Sequence, residues 1–430
     1  MKYIISTLGC KVNQYETQAM ETILQSRGHT QAETGEEPDV VIVNTCAVTA
    51  ESGRKSRQTI RRLRDEHPDA IIAVGGCYSQ LSPEDSEEIG ASVIFGTGDR
   101  RLFIDAVERA VASGEKCRNV DKPFERRVYE ELPAGAVSGR TRAMLKIQDG
   151  CVNFCTYCII PYTRGRLRSL PREAAVEEAR KLSAEGYREL VLTGIEVASY
   201  GRDLPGNDTL ADVVTDIEKA VPQMRIHLGS LEPTVITDDF CRRLKEAGNI
   251  CRHFHLSLQS GCDRTLKNMN RKYDTATFYE KVCLLREYFP GCAITCDLIT
   301  GFPGETDSDQ ADTIAFIEKC GFSAMHIFPY SRRPGTPADR MPDQCTNAVK
   351  NARAKEAQAI AEKMKQEFLK QSVGETLSVL FETPEGDGYC TGHSDTYLLV
   401  RAKGKNLRGR LCDVRITGVI NDILTGEIID

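Results

Sequence analysis

Several things are scarce in this chain, and each scarcity removes a class of explanation. No apolar run approaches the roughly 18 residues that a membrane span needs. The opening "MKYIISTLGC" has one Lys and an apolar stretch too short for a secretory signal, so it reads as a first strand of a cytoplasmic protein. Positive charge is not in excess: the net charge is −6, and the global balance gives no support to nucleic-acid binding. Histidine is sparse near the densest cysteine cluster. After "CVNFCTYC", Cys151 to Cys158, the next histidine is His227, and no fourth cysteine completes the set. Zinc expects paired Cys-x-x-Cys motifs or a His at finger spacing, so a zinc site is disfavoured.

Cysteine itself is abundant, with 17 in 430 residues. In a long chain without an export signal a disulfide framework is not expected. Metal or redox chemistry accounts for some of these thiols, and ordinary apolar burial for the rest. Local charge also departs from the global figure. "PYTRGRLRSLPR" carries Arg164, Arg166, Arg168 and Arg172 with no acid, and "RAKGKNLRGR" carries Arg401, Lys403, Lys405, Arg408 and Arg410. Either run alone reads as a solvated loop; two of them raise the nucleic-acid reading only modestly.

The periodicity predicts an α/β multidomain protein. Residues 1–113 alternate "KYIIST", "DVVIVNT", "DAIIAVGG" and "SVIFG" with helical patterns, which predicts a doubly wound α/β domain with a parallel sheet. Residues 114–138 read as a linker. Over 139–366, "RAMLKIQ", "ELVLTG", "MRIHLGS", "HFHLSLQS", "AITCDLITG" and "SAMHIFPYS" predict six βα units, fewer than the eight of a closed barrel, and hence a partial (βα)6 TIM-like barrel. A charged helix from about Ala348 is expected to lead away from it. Residues 367–430 are short, alternating and Gly-punctuated, which predicts a small all-β barrel.

Cys10, Cys46 and Cys77 each lie just past the carboxyl end of a predicted strand, the edge where open α/β sheets bind ligands. Parallel strands put those ends on one rim, so three thiols distant in sequence are expected to converge as a second cysteine site. Cys151, Cys155 and Cys158 follow the first barrel strand, again at the functional edge. Three thiolates suit an iron–sulfur cluster with one iron left open, and an open metal position can take a small molecule. Cys292 and Cys296 repeat the Cys-x-x-x-Cys spacing but enter a strand, and read as core.

Cys-x-x-x-Cys-x-x-Cys at the head of a partial βα barrel resembles the radical S-adenosylmethionine (SAM) superfamily. "TLGCKVNQYET", "NTCAVT", "GGCYSQ", "GCVNFCTYCIIPYTRGRLRS", "LTGIEVASYG", "HLSLQSG", "MNRKY" and "DLITGFPGET", in that order, resemble the methylthiotransferases of that superfamily. The terminal module is similar to the TRAM domain, an RNA-binding β-barrel. The resemblance implies that Cys151, Cys155 and Cys158 hold a [4Fe–4S] cluster whose open iron is chelated by SAM. Reduced, this cluster would cleave SAM to a 5′-deoxyadenosyl radical. It implies that Cys10, Cys46 and Cys77 hold an auxiliary [4Fe–4S] cluster that accepts a methyl group from another SAM and delivers a methylthio unit.

Around SAM it implies the "GFPGE" turn, with Gly301, Gly304 and Glu305, together with Ser257 and Gln259. Glu196 stands where many relatives have His or Asn, which leaves its role in SAM or substrate contact open. Phe154 and Tyr157 serve either core packing or stacking near the cluster, and His253 and His255 read as core. No side chain reads as a general base.

The motifs most resemble the branch that methylthiolates N6-threonylcarbamoyladenosine at position 37 of tRNA. Arg164, Arg166 and the basic terminal module suit an anticodon loop. An electron donor such as flavodoxin or ferredoxin is implied, and no membrane. The alternatives are the branches acting on isopentenyladenosine in tRNA or on a ribosomal-protein aspartate. A non-enzymatic iron–sulfur or zinc RNA-binding protein is a further one.

Overall fold

The computed structural model describes residues 1–133, 141–206 and 208–429. The first sheet contains β1 (Lys2–Thr7), β2 (Thr30–Gln31), β3 (Val40–Thr45), β4 (Ile71–Gly76), β5 (Val93–Phe95) and β6 (Cys117–Asn119), all parallel in the order β2-β1-β3-β4-β5-β6. Every residue of β3 is buried, because helices cover both faces. Tyr3, Val40, Ile42 and Ala73 pack with residues of helices Lys11–Ser26 and Arg100–Ser113. Val41, Val43 and Val74 pack with Ile60 and Leu63 of helix Ala50–Glu66 on the other face. The doubly wound expectation stands, with two additions. β2 and β6 are edge strands too short to leave an apolar run, and β6 lies within the stretch read as linker. The part of that stretch from 134 to 138 lies outside the described residues.

The second unit contains β7 (Arg142–Asp149), a short antiparallel β8 (Arg168–Ser169), β9 (Glu189–Gly194), β10 (Arg225–Leu228), β11 (His253–Gln259), β12 (Ala293–Thr300) and β13 (Ala324–Pro329). Parallel pairing runs β10-β9-β7 and β11-β12-β13, and bridges Ile226–Ile250 and Leu231–Leu256 join the halves. The six expected parallel strands therefore form an open barrel. Alternation sorts its two faces. Leu145, Leu192, Leu256, Cys296 and Leu298 belong to the hydrophobic core, while Lys146, Thr193, His227, His253 and Thr295 form a buried polar set. Cys292 and Cys296 are core, as read.

Helix Asn347–Gln371 does not lead away from the barrel. Ala357, Ala361 and Met364 join the barrel core, so a stripe of small apolar residues makes this helix the cover of the last strands. Near its end Leu369 enters the core of the terminal unit. That unit is a closed barrel of β14 (Thr376–Pro384), β15 (Tyr389–Ser394), β16 (Leu399–Lys403), β17 (Leu411–Ile420) and β18 (Ile423–Ile428), in the order β14-β15-β16-β18-β17. It docks at the amino ends of the larger barrel's strands. Arg225 at the start of β10 donates to the carbonyls of Ser378 and His393 at 3.0 and 2.9 Å. Arg252 pairs with Asp395 at 2.6 Å and Arg142 with Glu382 at 2.8 Å.

Five of the chain's seven histidines gather about the barrel interior and this docking surface. His227 Nε2 lies 2.8 Å from His253 Nδ1, and His253 Nε2 lies 3.1 Å from the Thr295 hydroxyl. The Tyr397 ring stacks on both imidazoles. Burial, with the neighbouring His255, pushes His253 down to about 3. The native ring stays neutral while the unfolded ring takes a proton near pH 6.5. Between those values the unfolded chain binds more protons, and stability falls as pH drops. The unfolding free energy from urea titration is expected to be lower at pH 5 than at pH 7, by about 2 kcal/mol per buried ring, and His253→Gln should shrink the difference.

Candidate cluster and cofactor site

The pairing of β1, β3 and β4 puts three thiols on one rim. Thr7 aligns with Asn44 and Thr45 with Gly76, so Cys10, Cys46 and Cys77 follow adjacent strand ends. Cys10 caps helix Lys11–Ser26, and Cys77 opens helix Cys77–Leu81. Gly9 has φ 110°, and a Cβ there would lie 2.9 Å from Cys46 Cβ and 3.0 Å from its Sγ; only glycine lets the two loops come this close. Asn13 Nδ2 donates to the carbonyls of Leu8 and Thr45 at 2.8 and 2.9 Å, tying the first two loops together. Burial pushes the Cys46 and Cys77 thiols up, so metal uptake at this rim releases protons.

The loop after β7 is held from several sides. Cys151 N–H donates to Gly165 O at 3.1 Å, Thr156 N–H to Met269 O at 3.0 Å and Cys158 N–H to Cys155 O at 2.9 Å. Burial pushes Cys151 and Cys158 up to about 12. Arg271 Nη1 lies 3.1 Å from Cys155 Sγ. Phe154 is in the left-handed region with φ 48°, and its carbonyl accepts from Asn270 Nδ2 at 3.0 Å. Its ring stacks with Phe124 rather than with any core cluster. Tyr157 packs with Met269, Phe302, Tyr330 and Ala338, which joins this loop to the "GFPGE" turn.

Glu196 and Ser257 come to the same mouth. Asn153 Nδ2 donates to Glu196 Oε2 at 3.3 Å, while Glu196 Oε1 is buried without a partner among the described residues. Burial and the Glu232 carboxylate push Glu196 up to about 7. Glu232 pairs with Arg271 at 2.9 Å, and Arg271 also donates to Ser257 Oγ at 3.0 Å. Nothing local in the sequence marks Glu232 for this role, and the signal for Arg271 is its place inside "MNRKY".

The turn residues do different work. Gly301 has φ 68°, and a Cβ there would sit 2.4 Å from Lys350 Cγ. Gly304 donates to Asp343 O at 2.9 Å. The Glu305 carboxylate accepts from the N–H groups of Gly301 and Phe302 at 2.8 and 3.4 Å and pairs with Arg353 at 2.9 Å. It shapes the turn from within. Gln259 ends β11 in the left-handed region, φ 67°, largely buried.

The first basic run is not a nucleic-acid surface. Arg164 and Arg168 are buried in ion pairs with Glu16 and Asp149. Arg172 pairs with Asp208 and Asp216, and Arg166 alone of the four is exposed. In the second run Arg401 pairs with Glu385 at 2.7 Å. The acids that answer these arginines are distant in sequence, which made the runs read as unopposed. A cavity of about 550 Å³ lies elsewhere, where Lys11, Arg142, Glu382, Tyr397 and Arg408 meet.

The donor sets fit iron–sulfur chemistry. Among the described residues no three His, Cys, Asp or Glu side chains converge on one metal-ion position; a [4Fe–4S] cube instead takes each thiolate on a different iron. The orphaned Glu196 oxygen beside the cysteine loop fits an ammonium group, which SAM carries.

The radical SAM superfamily profile matches residues 145–317, and that of the uncharacterized protein family UPF0004 matches residues 2–96. Threonylcarbamoyladenosine tRNA methylthiotransferase MtaB of Bacillus subtilis is 39% identical over 95% of this chain and 92% of the relative. Its Thermotoga maritima counterpart is 35% identical over 99% and 98%. The tRNA-2-methylthio-N(6)-dimethylallyladenosine synthase of Pelotomaculum thermopropionicum is 34% identical over 99% and 97%. Among solved structures, the radical SAM methyltransferase TsrM of Kitasatospora setae, with cobalamin and a [4Fe–4S] cluster bound, is similar in fold. Its TM-score is 0.60 at 15% identity, over 91% of this chain and 77% of that one. An open parallel barrel with a three-cysteine loop at its mouth makes this a radical SAM enzyme, dependent on SAM and [4Fe–4S] chemistry. Within that class the chain belongs to the tRNA methylthiotransferase family, which transfers sulfur-containing groups.

Proposed function

We propose that this chain inserts a methylthio group at C2 of N6-threonylcarbamoyladenosine at position 37, in the anticodon loop of tRNA. One observation carries the reading: near-complete alignment with relatives bearing that activity in their names, at 39% and 35% identity. Two three-cysteine sets in one body support the reaction type. Cys151, Cys155 and Cys158 would hold the cluster that binds SAM, and Cys10, Cys46 and Cys77 the auxiliary cluster. When bound, the clusters and SAM supply radical reactivity toward an unactivated aromatic C–H bond, which acid–base groups handle poorly.

The chain's own residues bind and orient. Glu196 offers a carboxylate oxygen to the SAM ammonium, with Ser257 and Gln259 alongside. Gly301 and Gly304 let backbone approach, and Glu305 holds their turn in shape. Arg271, hydrogen-bonded to Cys155, steadies that ligand. A flavodoxin- or ferredoxin-like donor supplies electrons, and the protein works in the cytoplasm. Among the described residues no helix is long and apolar enough to cross a membrane. Full-length identity of 34% to a dimethylallyladenosine synthase makes isopentenyladenosine the second reading.

The test is mass spectrometry of nucleosides from threonylcarbamoylated tRNA treated anaerobically with reconstituted protein, SAM and a reductant. A methylthio increment on that nucleoside is expected. SAM cleavage with the tRNA unchanged would reject this substrate and turn the same assay to isopentenylated tRNA.

A further inference from the structure

The radical core reaches into the rim that carries the other three cysteines. Arg164, six residues beyond Cys158, ends the short helix Ile160–Arg164 and is fully buried. Its Nη2 donates to Asn13 Oδ1 at 2.9 Å and to Glu16 Oε2 at 3.2 Å, and its Nη1 donates to Glu16 Oε1. Asn13 is the side chain that ties the Cys10 loop to the Cys46 loop. The Asn13 Oδ1 that Arg164 reaches also lies 3.9 Å from Cys10 Sγ, which sets the guanidinium beside the cysteine rim. Its Nε–H is buried with no acceptor among the described residues.

The surrounding charges do not balance. Arg100, Lys146, Arg164 and Arg168 share Glu16 and Asp149, all buried. Glu130, at the edge, accepts the Arg100 backbone N–H. Buried cations in surplus call for a nearby anion. A thiolate-ligated iron–sulfur cluster is anionic, and reduction adds negative charge.

We propose that Arg164 is a positioning residue which the radical core supplies to the auxiliary cluster, its unpaired Nε–H donating to a cluster sulfur and raising the cluster's reduction potential. Hydrogen bonds to cluster sulfurs and the local charge set that potential, and both favour the more negative, reduced form. An orphan donor and a cationic surplus beside three thiols then share one explanation. The inference rests on the reading of Cys10, Cys46 and Cys77 as cluster ligands.

The test uses the full chain with Cys151, Cys155 and Cys158 replaced by alanine, reconstituted anaerobically and followed by iron analysis and EPR-monitored redox titration. About four irons in this parent establish the auxiliary site; none, in folded protein, would refute that reading before Arg164 is touched. Arg164→Lys and Arg164→Gln are then made in the parent. Arg164→Gln is expected to keep its iron and lower the reduced-to-oxidised ratio at fixed potential about tenfold, equivalent to about 59 mV for one electron. Arg164→Lys keeps the charge but loses the fork of donors, and should fall between. Should the Gln variant not fold, the Lys variant decides. An unchanged midpoint and EPR signal in folded, iron-loaded Arg164→Lys would overturn the proposal and leave Arg164 a plain ion-pair residue.

Discussion

Replacing Cys151, Cys155 and Cys158 together by alanine is expected to abolish SAM cleavage while about four irons remain bound. Both halves follow from geometry. The three residues lie on one loop after β7, fixed by hydrogen bonds to Gly165, Met269 and one another, so their loss removes one complete ligand set. Cys10, Cys46 and Cys77 depend on a different sheet, on Gly9 and on Asn13, none of which the substitution touches. Iron analysis of the folded variant with an assay for 5′-deoxyadenosine checks both. A variant stripped of all iron would argue for a single site. The mirror variant, with alanine at Cys10, Cys46 and Cys77, should still cleave SAM yet transfer no sulfur.

The second large effect is on stability. Glu16→Leu is expected to destabilise the metal-free protein by about 3–5 kcal/mol, because removing one partner of a buried ion pair strands the others. Burial alone would push the Glu16 carboxyl up, but Arg100, Arg164 and Lys146 hold it well below the usual carboxylate range. One carboxylate thus serves cations from the first unit, the barrel strand β7 and the short helix Ile160–Arg164. Urea unfolding of Glu16→Leu against the parent measures the loss, and Glu16→Gln, which keeps its shape and some hydrogen bonding, should lose less. An unmoved midpoint for Glu16→Leu would mean that the network adds no net stability, as some buried pairs do when replaced by apolar groups.

The strands that mattered were legible because each is a buried apolar run with its cysteine just beyond the end; "VVIVNTC" announces both β3 and Cys46. Topology did the rest, since parallel strands place their carboxyl ends together. What escaped were features that depend on distant partners. β2 and β6 exist only because a neighbouring edge accepts them. Arg164 looked like one of four solvated arginines, and nothing local reveals that Glu16, nearly 150 residues earlier, waits for it. Helix Asn347–Gln371 looked like an exit because its apolar side is mostly alanine, a weak signal until the last strands are seen to need a cover. The motif shows Glu305 beside the turn glycines but not that its carboxylate accepts from the turn's own N–H and pairs with Arg353.

The terminal β-barrel sits under the amino ends of the large barrel's strands, whereas the cysteine loop lies past their carboxyl ends. β7 alone has eight residues, so the two are separated by about 26 Å of strand. A guest that touches both must straddle the flank of the enzyme, and a free nucleoside is too small to do so. For such a guest the module at the foot of the barrel would be one jaw of a caliper. That jaw would measure length and bend, whatever the chemistry of the base presented at the far end.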